Sequence, residues 1–110
     1  MSKHDPVVAL KHMLDYAQKA VKISRGRKKE ELDDDIIFNL ALTRSVEVIG
    51  EAANRVPEEI QAEHPEIAWM EIIGMRNRLI HGYDDVDVDF LWSVVQNDLP
   101  TLIPQLKSIL

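Results

Sequence analysis

Ile36-Ile37-Phe38-Asn39-Leu40-Ala41-Leu42, continued through Thr43 to about Arg55, is the stretch that decides the fold. It is apolar nearly all round, opens behind the acidic run Asp33-Asp34-Asp35, and stops before Pro57. Carboxylates there can cap the free N–H groups of a helix and suit the positive end of its dipole. A helix that is apolar on every side belongs in an interior. The spacing predicts a long helix that is the most buried element of a helical domain.

The flanks extend this pattern. Asp5-Pro6 is a helix start, with Asp as cap and Pro at the first helical position. Val7, Leu10, Leu14, Ala17 and Val21 then recur at three and four, predicting a first helix to about Ile23. Arg25-Gly26-Arg27-Lys28-Lys29 follows as a basic connector, read as a mobile, solvated loop. Beyond Pro57, Glu58 to Glu63 make one or two turns. Pro65 restarts a helix carrying Ile67, Met70, Ile72, Ile73 and Leu79 and ending near His81. Asp87 or Asp89 caps a last helix through Phe90, Leu91, Val94 and Val95, which Pro100 and Pro104 should kink or interrupt before Leu106 to Leu110. Neither a strand pattern nor an internal repeat is present. The expectation is one all-α domain over residues 1–110, an antiparallel four-helix bundle with a kinked or broken C-terminal helix.

At 110 residues the chain can bury a core without staples. It has no cysteine, which excludes disulfides and thiolate metal sites. No apolar run reaches the length of a membrane span, and no signal-peptide region is evident, so a soluble, cytoplasmic protein is expected. The net charge of −6 argues against a general nucleic-acid coat. The charge is uneven, however. Residues 1–30 are rich in Lys and Arg, residues 31–75 in Asp and Glu. Basic groups gathered in one cleft would still allow an acidic protein to engage RNA.

One short stretch concentrates chemistry: Arg76-Asn77-Arg78-Leu79-Ile80-His81-Gly82-Tyr83. Arginine offers a planar, permanently charged fork that suits phosphate. Histidine gives or takes a proton near neutral pH. Together they point to phosphodiester chemistry without a metal. Asn77 and Arg78 stand four and three residues before His81 and would share its side of a helix. Arg76 is five before it, about 140° away on an ideal helix. Gly82 is placed to end that helix, which would leave His81 on the last turn. A second copy of the segment across a dimer axis could supply the missing partner. Arg76 and Arg78 have a second reading, as neutralisers of the acidic second helix through Glu47 and Glu51. His4, His12 and His64 read as solvent-facing, and Trp69 and Trp92 as core or dimer contacts. The histidines and acids show no metal-ligand spacing, so no metal site is expected.

Arg-x4-His near the end of the third helix of a small bundle resembles the HEPN superfamily. The fuller Arg76-x4-His81-Gly82-Tyr83 resembles its HepT-like toxins, as do Val48-Ile49-Gly50-Glu51-Ala52-Ala53 and the late Asn97-Asp98-Leu99-Pro100. The similarity runs from about Asp5 onward. It implies a symmetric homodimer in which the motifs of two chains meet at one cleft. It also implies a metal-independent endoribonuclease toxin of a type II/VII-like toxin–antitoxin pair. Arg76 and His81 would be catalytic, with Asn77 a supporting polar residue. The implied partner is an MntA-type nucleotidyltransferase antitoxin that uses ATP and Mg²⁺ to AMPylate Tyr83; the chain itself would need no cofactor. The alternative is a non-catalytic helical partner that binds and positions a nucleotidyltransferase or its substrate.

Overall fold

A computed structural model describes residues 5–110, so His4 lies outside the described residues. The helices are α1 (Pro6–Ser24), α2 (Glu31–Asp34), α3 (Ile36–Asn54), α4 (Glu58–Glu63), α5 (Trp69–Ile73), α6 (Met75–Leu79), α7 (Val88–Ser93) and α8 (Leu99–Ile109), with a π-helical turn at Val94–Asp98 joining the last two. They form four rods: α1, α3, α5 with α6, and α7 running through the π-turn into α8. The expected all-α bundle is what the chain adopts. None of the helices is long and apolar enough to cross a membrane among the described residues.

α3 is the hub, packed against α1 on one side and against α5 and α6 on another. Its Leu42, Val46, Ile49 and Ala53 are wholly excluded from solvent. They meet Met13, Ala17 and Ala20 of α1, Leu79 of α6, and Leu91 and Leu106 of the last rod within one core. The expectation that this helix, apolar on nearly every side, is the most buried element meets an exception at its first turns. Ile36, Ile37 and Leu40 are exposed, Ile37 by 78%. The α1 stripe also shifts: Leu10, Met13, Ala17 and Ala20 are buried, whereas Val7 is exposed and Leu14 and Val21 only flank the core.

The basic connector is tied down rather than free. Arg27 donates to Glu31 and Asp35 at 2.9 Å each and lies 4.0 Å above the Phe38 ring. Lys29 reaches Asp89 at 2.8 Å and so clasps the connector to the start of α7. An arginine that satisfies two carboxylates and covers an aromatic face has little reason to remain solvated.

The third rod begins at Trp69 rather than Pro65. Residues 65–68 are held in a turn by Ile67 N–H on the His64 carbonyl at 3.2 Å, and the indole N–H of Trp69 donates to that same carbonyl at 3.0 Å. The rod is interrupted at Gly74, the residue least suited to a helix interior after proline. The C-terminal rod does break, but ahead of its prolines. Leu99 N–H reaches back five residues to the Val94 carbonyl, and α8 then continues through Pro104. Pro100 has no N–H to give to Gln96, and the wide turn just before it absorbs that gap.

Asp35 fixes where α3 starts. Its Oδ1 accepts the N–H groups of Ile37 and Phe38 at 3.1 Å, and its Oδ2 the guanidinium of Arg27. The Phe38 N–H first, and Arg27 second, hold the Asp35 carboxyl below the usual aspartate range. A depressed carboxyl stabilises the fold above its unfolded pKa, and that contribution disappears as pH falls through the lower folded value. Asp35→Ala should therefore lower Tm by a few degrees at pH 7. The gap to the parent protein should close below about pH 4, measured by thermal melts across pH.

Candidate active site

The motif segment straddles the end of α6. Arg76, Asn77 and Arg78 lie on the helix, whereas His81 stands two residues beyond its last residue, Leu79. This corrects the placement of His81 on the last helical turn. Ile80 leaves the helix in an extended conformation and pairs with Val86 in an antiparallel bridge. His81 N–H donates to the Asp85 carbonyl at 2.7 Å, and Asp87 N–H to the Leu79 carbonyl at 2.8 Å. These bonds close residues 81–86 into a tight loop, and Gly82 turns it with φ of +82°, a conformation glycine adopts without strain. The loop presents His81 and Tyr83 outward.

Arg76 and His81 are both accessible, with side chains 55% and 59% exposed. Arg76 Nε lies 3.4 Å from Glu47 Oε2 on α3. That contact is the neutralising pair which the sequence also allowed, but it uses only one edge of the guanidinium. Arg78 takes neither acid on α3. Its guanidinium lies 4.3 Å above the Phe90 ring, and Glu51 pairs instead with Arg44. Asn77 is exposed beside Arg76. Tyr83 is 97% exposed, its phenol at the tip of the loop. Among the described residues no hydrogen bond joins Arg76, Asn77, His81 and Tyr83 to one another. They share one surface segment without forming a closed site.

One residue escaped the sequence reading. Asp87 was expected only as a possible cap for the last helix, and it does cap α7, accepting Phe90 N–H on Oδ1 at 3.0 Å. Its Oδ2 also lies 3.7 Å from His81 Nε2. Spacing alone could not reveal this, because the two residues meet only when the Ile80–Val86 bridge closes the loop between them.

A groove of about 430 Å³ lies between the third rod and α8, lined by Ile72, Met75, Arg78, Phe90 and Leu102 among others. Arg76, His81 and Tyr83 are not part of it. A second groove, between α1 and α3, carries His12, Tyr16, Arg44 and Arg55 and likewise excludes the motif. His12 is exposed there; His64 is half-buried, 3.7 Å from Glu66. Trp69 is buried in the core and Trp92 packs at its edge. No three His, Asp or Glu side chains gather as a metal ion would require among the described residues.

The model of the HepT-like ribonucleases matches residues 13–109. The chain belongs to the HepT-like family. Through it the chain joins the HEPN superfamily that the motif resembled. Among similar proteins, this HepT-like chain is 35% identical over 101 residues to "Putative RNase TTE0752" of Caldanaerobacter subterraneus subsp. tengcongensis, covering 92% of this chain and 90% of that one. It is 30% identical over 110 residues to "Putative RNase MJ1216" of Methanocaldococcus jannaschii, spanning all of this chain and 91% of the relative. To "Probable ribonuclease HepT" of Thermococcus cleftensis it is 47% identical over 62 residues, 56% of each chain. No solved structure matches the chain.

Gly50 sets how closely the third rod can approach α3. A Cβ there would stand 3.0 Å from the Ile72 carbonyl oxygen, a backbone atom that would have to give by a few tenths of an ångström. The rod that meets Gly50 leads directly into Arg76. Gly50→Ala should therefore destabilise the HepT-like fold by about 1–3 kcal/mol, as overpacking does, read from urea unfolding.

Proposed function

We propose that this HepT-like chain is a metal-independent endoribonuclease toxin that acts as a homodimer, with Arg76 and His81 of both copies forming one composite site. The observation that carries the reading is the exposure of Arg76 and His81 together on one short segment of a HepT-like ribonuclease chain. RNA holds its own nucleophile, the 2′-hydroxyl. One His81 takes that proton as O2′ attacks phosphorus, and the other returns a proton to the departing O5′. The products are a 2′,3′-cyclic phosphate and a free 5′-hydroxyl. The outer edge of each Arg76 guanidinium, unoccupied by Glu47, holds the charge that builds on the phosphorane oxygens. Asn77 supports the bound phosphate from the same helix. DNA lacks the nucleophile and is not cut by this route.

Two features of the monomer support the dimer. Ile36, Ile37 and Leu40 expose a contiguous apolar strip on α3. Ile36 and Leu40 stand eleven and seven residues before Glu47, spacings that keep all three on one side of the helix. The strip thus leads along α3 toward the Glu47–Arg76 pair. A two-fold contact across it would cover the apolar surface and draw two open motif segments into one cleft. Cleavage should persist in excess chelator. Replacing either Arg76 or His81 with Ala should slow it at least about a hundredfold, while both variants remain folded dimers by light scattering. Full cleavage by His81→Ala would leave the non-catalytic helical partner as the better reading.

Tyr83 is the point of control in this reading. An MntA-type nucleotidyltransferase antitoxin, using ATP and Mg²⁺, would join the Tyr83 oxygen to the α-phosphorus of ATP, releasing pyrophosphate and the phenolic proton. The phenol's full exposure supports access by such an enzyme. A phosphodiester placed two residues from His81 competes with RNA phosphate for the same cations, and its adenosine obstructs the cleft. Co-expression with the cognate nucleotidyltransferase should add the mass of AMP to the peptide containing Tyr83 and suppress toxicity. Tyr83→Phe should remain toxic, and suppression with no added mass would point to silencing by binding alone.

A further inference from the structure

We infer that Asp87 is a positioning residue for His81: its carboxylate holds the Nε2 edge of the imidazole and leaves Nδ1 to exchange the proton with RNA. The inference rests on the ribonuclease reading of His81. It starts from how completely Asp87 is fixed. Its backbone N–H is bonded to the Leu79 carbonyl at 2.8 Å, and its Oδ1 to Phe90 N–H at 3.0 Å. With the main chain and one carboxylate oxygen both engaged, Oδ2 has a set direction, and it faces His81 Nε2 at 3.7 Å. His81 is fixed from its own side by its N–H on the Asp85 carbonyl at 2.7 Å. The Ile80–Val86 bridge ties the two strands of the loop together between them.

The separation is longer than a hydrogen bond and within the range of an ion pair. Contacts of this kind commonly lengthen in a free enzyme and tighten when substrate arrives. When Nδ1 takes a proton the ring becomes a cation, and the Asp87 carboxylate stands 3.7 Å from its Nε2. The same carboxylate selects the neutral tautomer that carries its hydrogen on Nε2, so the free lone pair sits on Nδ1. An acid that orients a histidine without touching the substrate is a recurring arrangement in nucleophilic catalysis. Around the ring, Asp87 is the charged side chain paired with it among the described residues. Asp85 contributes its carbonyl, Asp84 is exposed on the same loop, Arg76 is directed at Glu47, and Arg78 at Phe90.

Asp87 has two jobs that one substitution can separate. Asparagine caps a helix as well as aspartate does, but it carries no charge. In the full-length protein, Asp87→Asn should keep Tm near that of the parent. Its kcat on a single-stranded RNA should fall at least about tenfold with KM little changed, since the loss lies in the chemical step. The neutral His81 ring, read from its nitrogen shifts by NMR, should lose its preference for the tautomer with hydrogen on Nε2. A merely structural role would leave the tautomer unchanged. Asp87→Ser, which also caps without charge, guards against a local defect particular to Asn and should give the same change. A folded Asp87→Asn that cleaves at the parental rate with the His81 tautomer unchanged, while His81→Ala is inactive, would overturn the inference and leave the ribonuclease reading intact. Cleavage by His81→Ala at the parental rate would instead overturn that reading and this role with it.

Discussion

Leu42, Val46, Ile49 and Ala53 recur along α3 at helical spacing, and the exclusion of this face from water is the interaction on which the other elements depend. Full burial of a Leu, Ile or Val side chain is worth about 1.5–3 kcal/mol. Neither α5 nor α6 would persist alone, because a helix of one or two turns does not repay its own nucleation. They hold because Ile72, Met75 and Leu79 settle against α3 and its neighbours. Gly50 makes the approach possible by presenting no side chain where the Ile72 carbonyl arrives. The chemistry-bearing residues thus sit on a short segment whose conformation is borrowed from a longer one.

The same arrangement explains why the motif is accessible. Every apolar residue of α5 and α6 except Met70 and Ile73 is committed to the core. Arg76, Asn77 and Arg78 are what remains for the outside. Beyond Leu79 the chain must reverse toward α7, and the Ile80–Val86 bridge achieves this in a few residues. A tight reversal exposes the side chains it carries by geometry; Tyr83 occupies its tip and His81 its entry. The polar chemistry is a consequence of how little core the third rod has to spare.

Much of this is legible in the amino-acid sequence. Asp5-Pro6 announced α1, and the run Asp33 to Asp35 announced α3, because capping is written in the few residues around a helix start. The order of the rods followed from prolines and apolar spacing, and the motif was visible because Arg, His, Gly and Tyr fall so close together. What could not be read was anything set by contacts between distant residues. The connector looked free because neither the Arg27–Phe38 stacking nor the Lys29–Asp89 pair has a local signature. Ile36, Ile37 and Leu40 looked interior because hydrophobicity alone does not say which surface of a chain is left uncovered. His81 looked helical because the bridge that pulls it out of the helix needs Val86, six residues after Ile80. Asp87 was legible as a cap and illegible as the neighbour of His81 for the same reason.

The π-helical turn at Val94–Asp98 acts as a phase adjustment. From Leu91 through Val95, Leu99 and Leu102 to Leu106, the buried residues advance about 3.75 residues per turn, more than the 3.6 of a regular helix. A uniform α-helix would drift round by about 60° over that distance and rotate Leu106 toward solvent. One wide turn takes up the surplus in a single place, so both ends of the rod face the same core. The beginning of that rod carries the Asp87 cap beside His81, and its end packs against α1. The angular setting of the loop at one pole of the molecule is therefore tied to the seating of the C-terminus at the other.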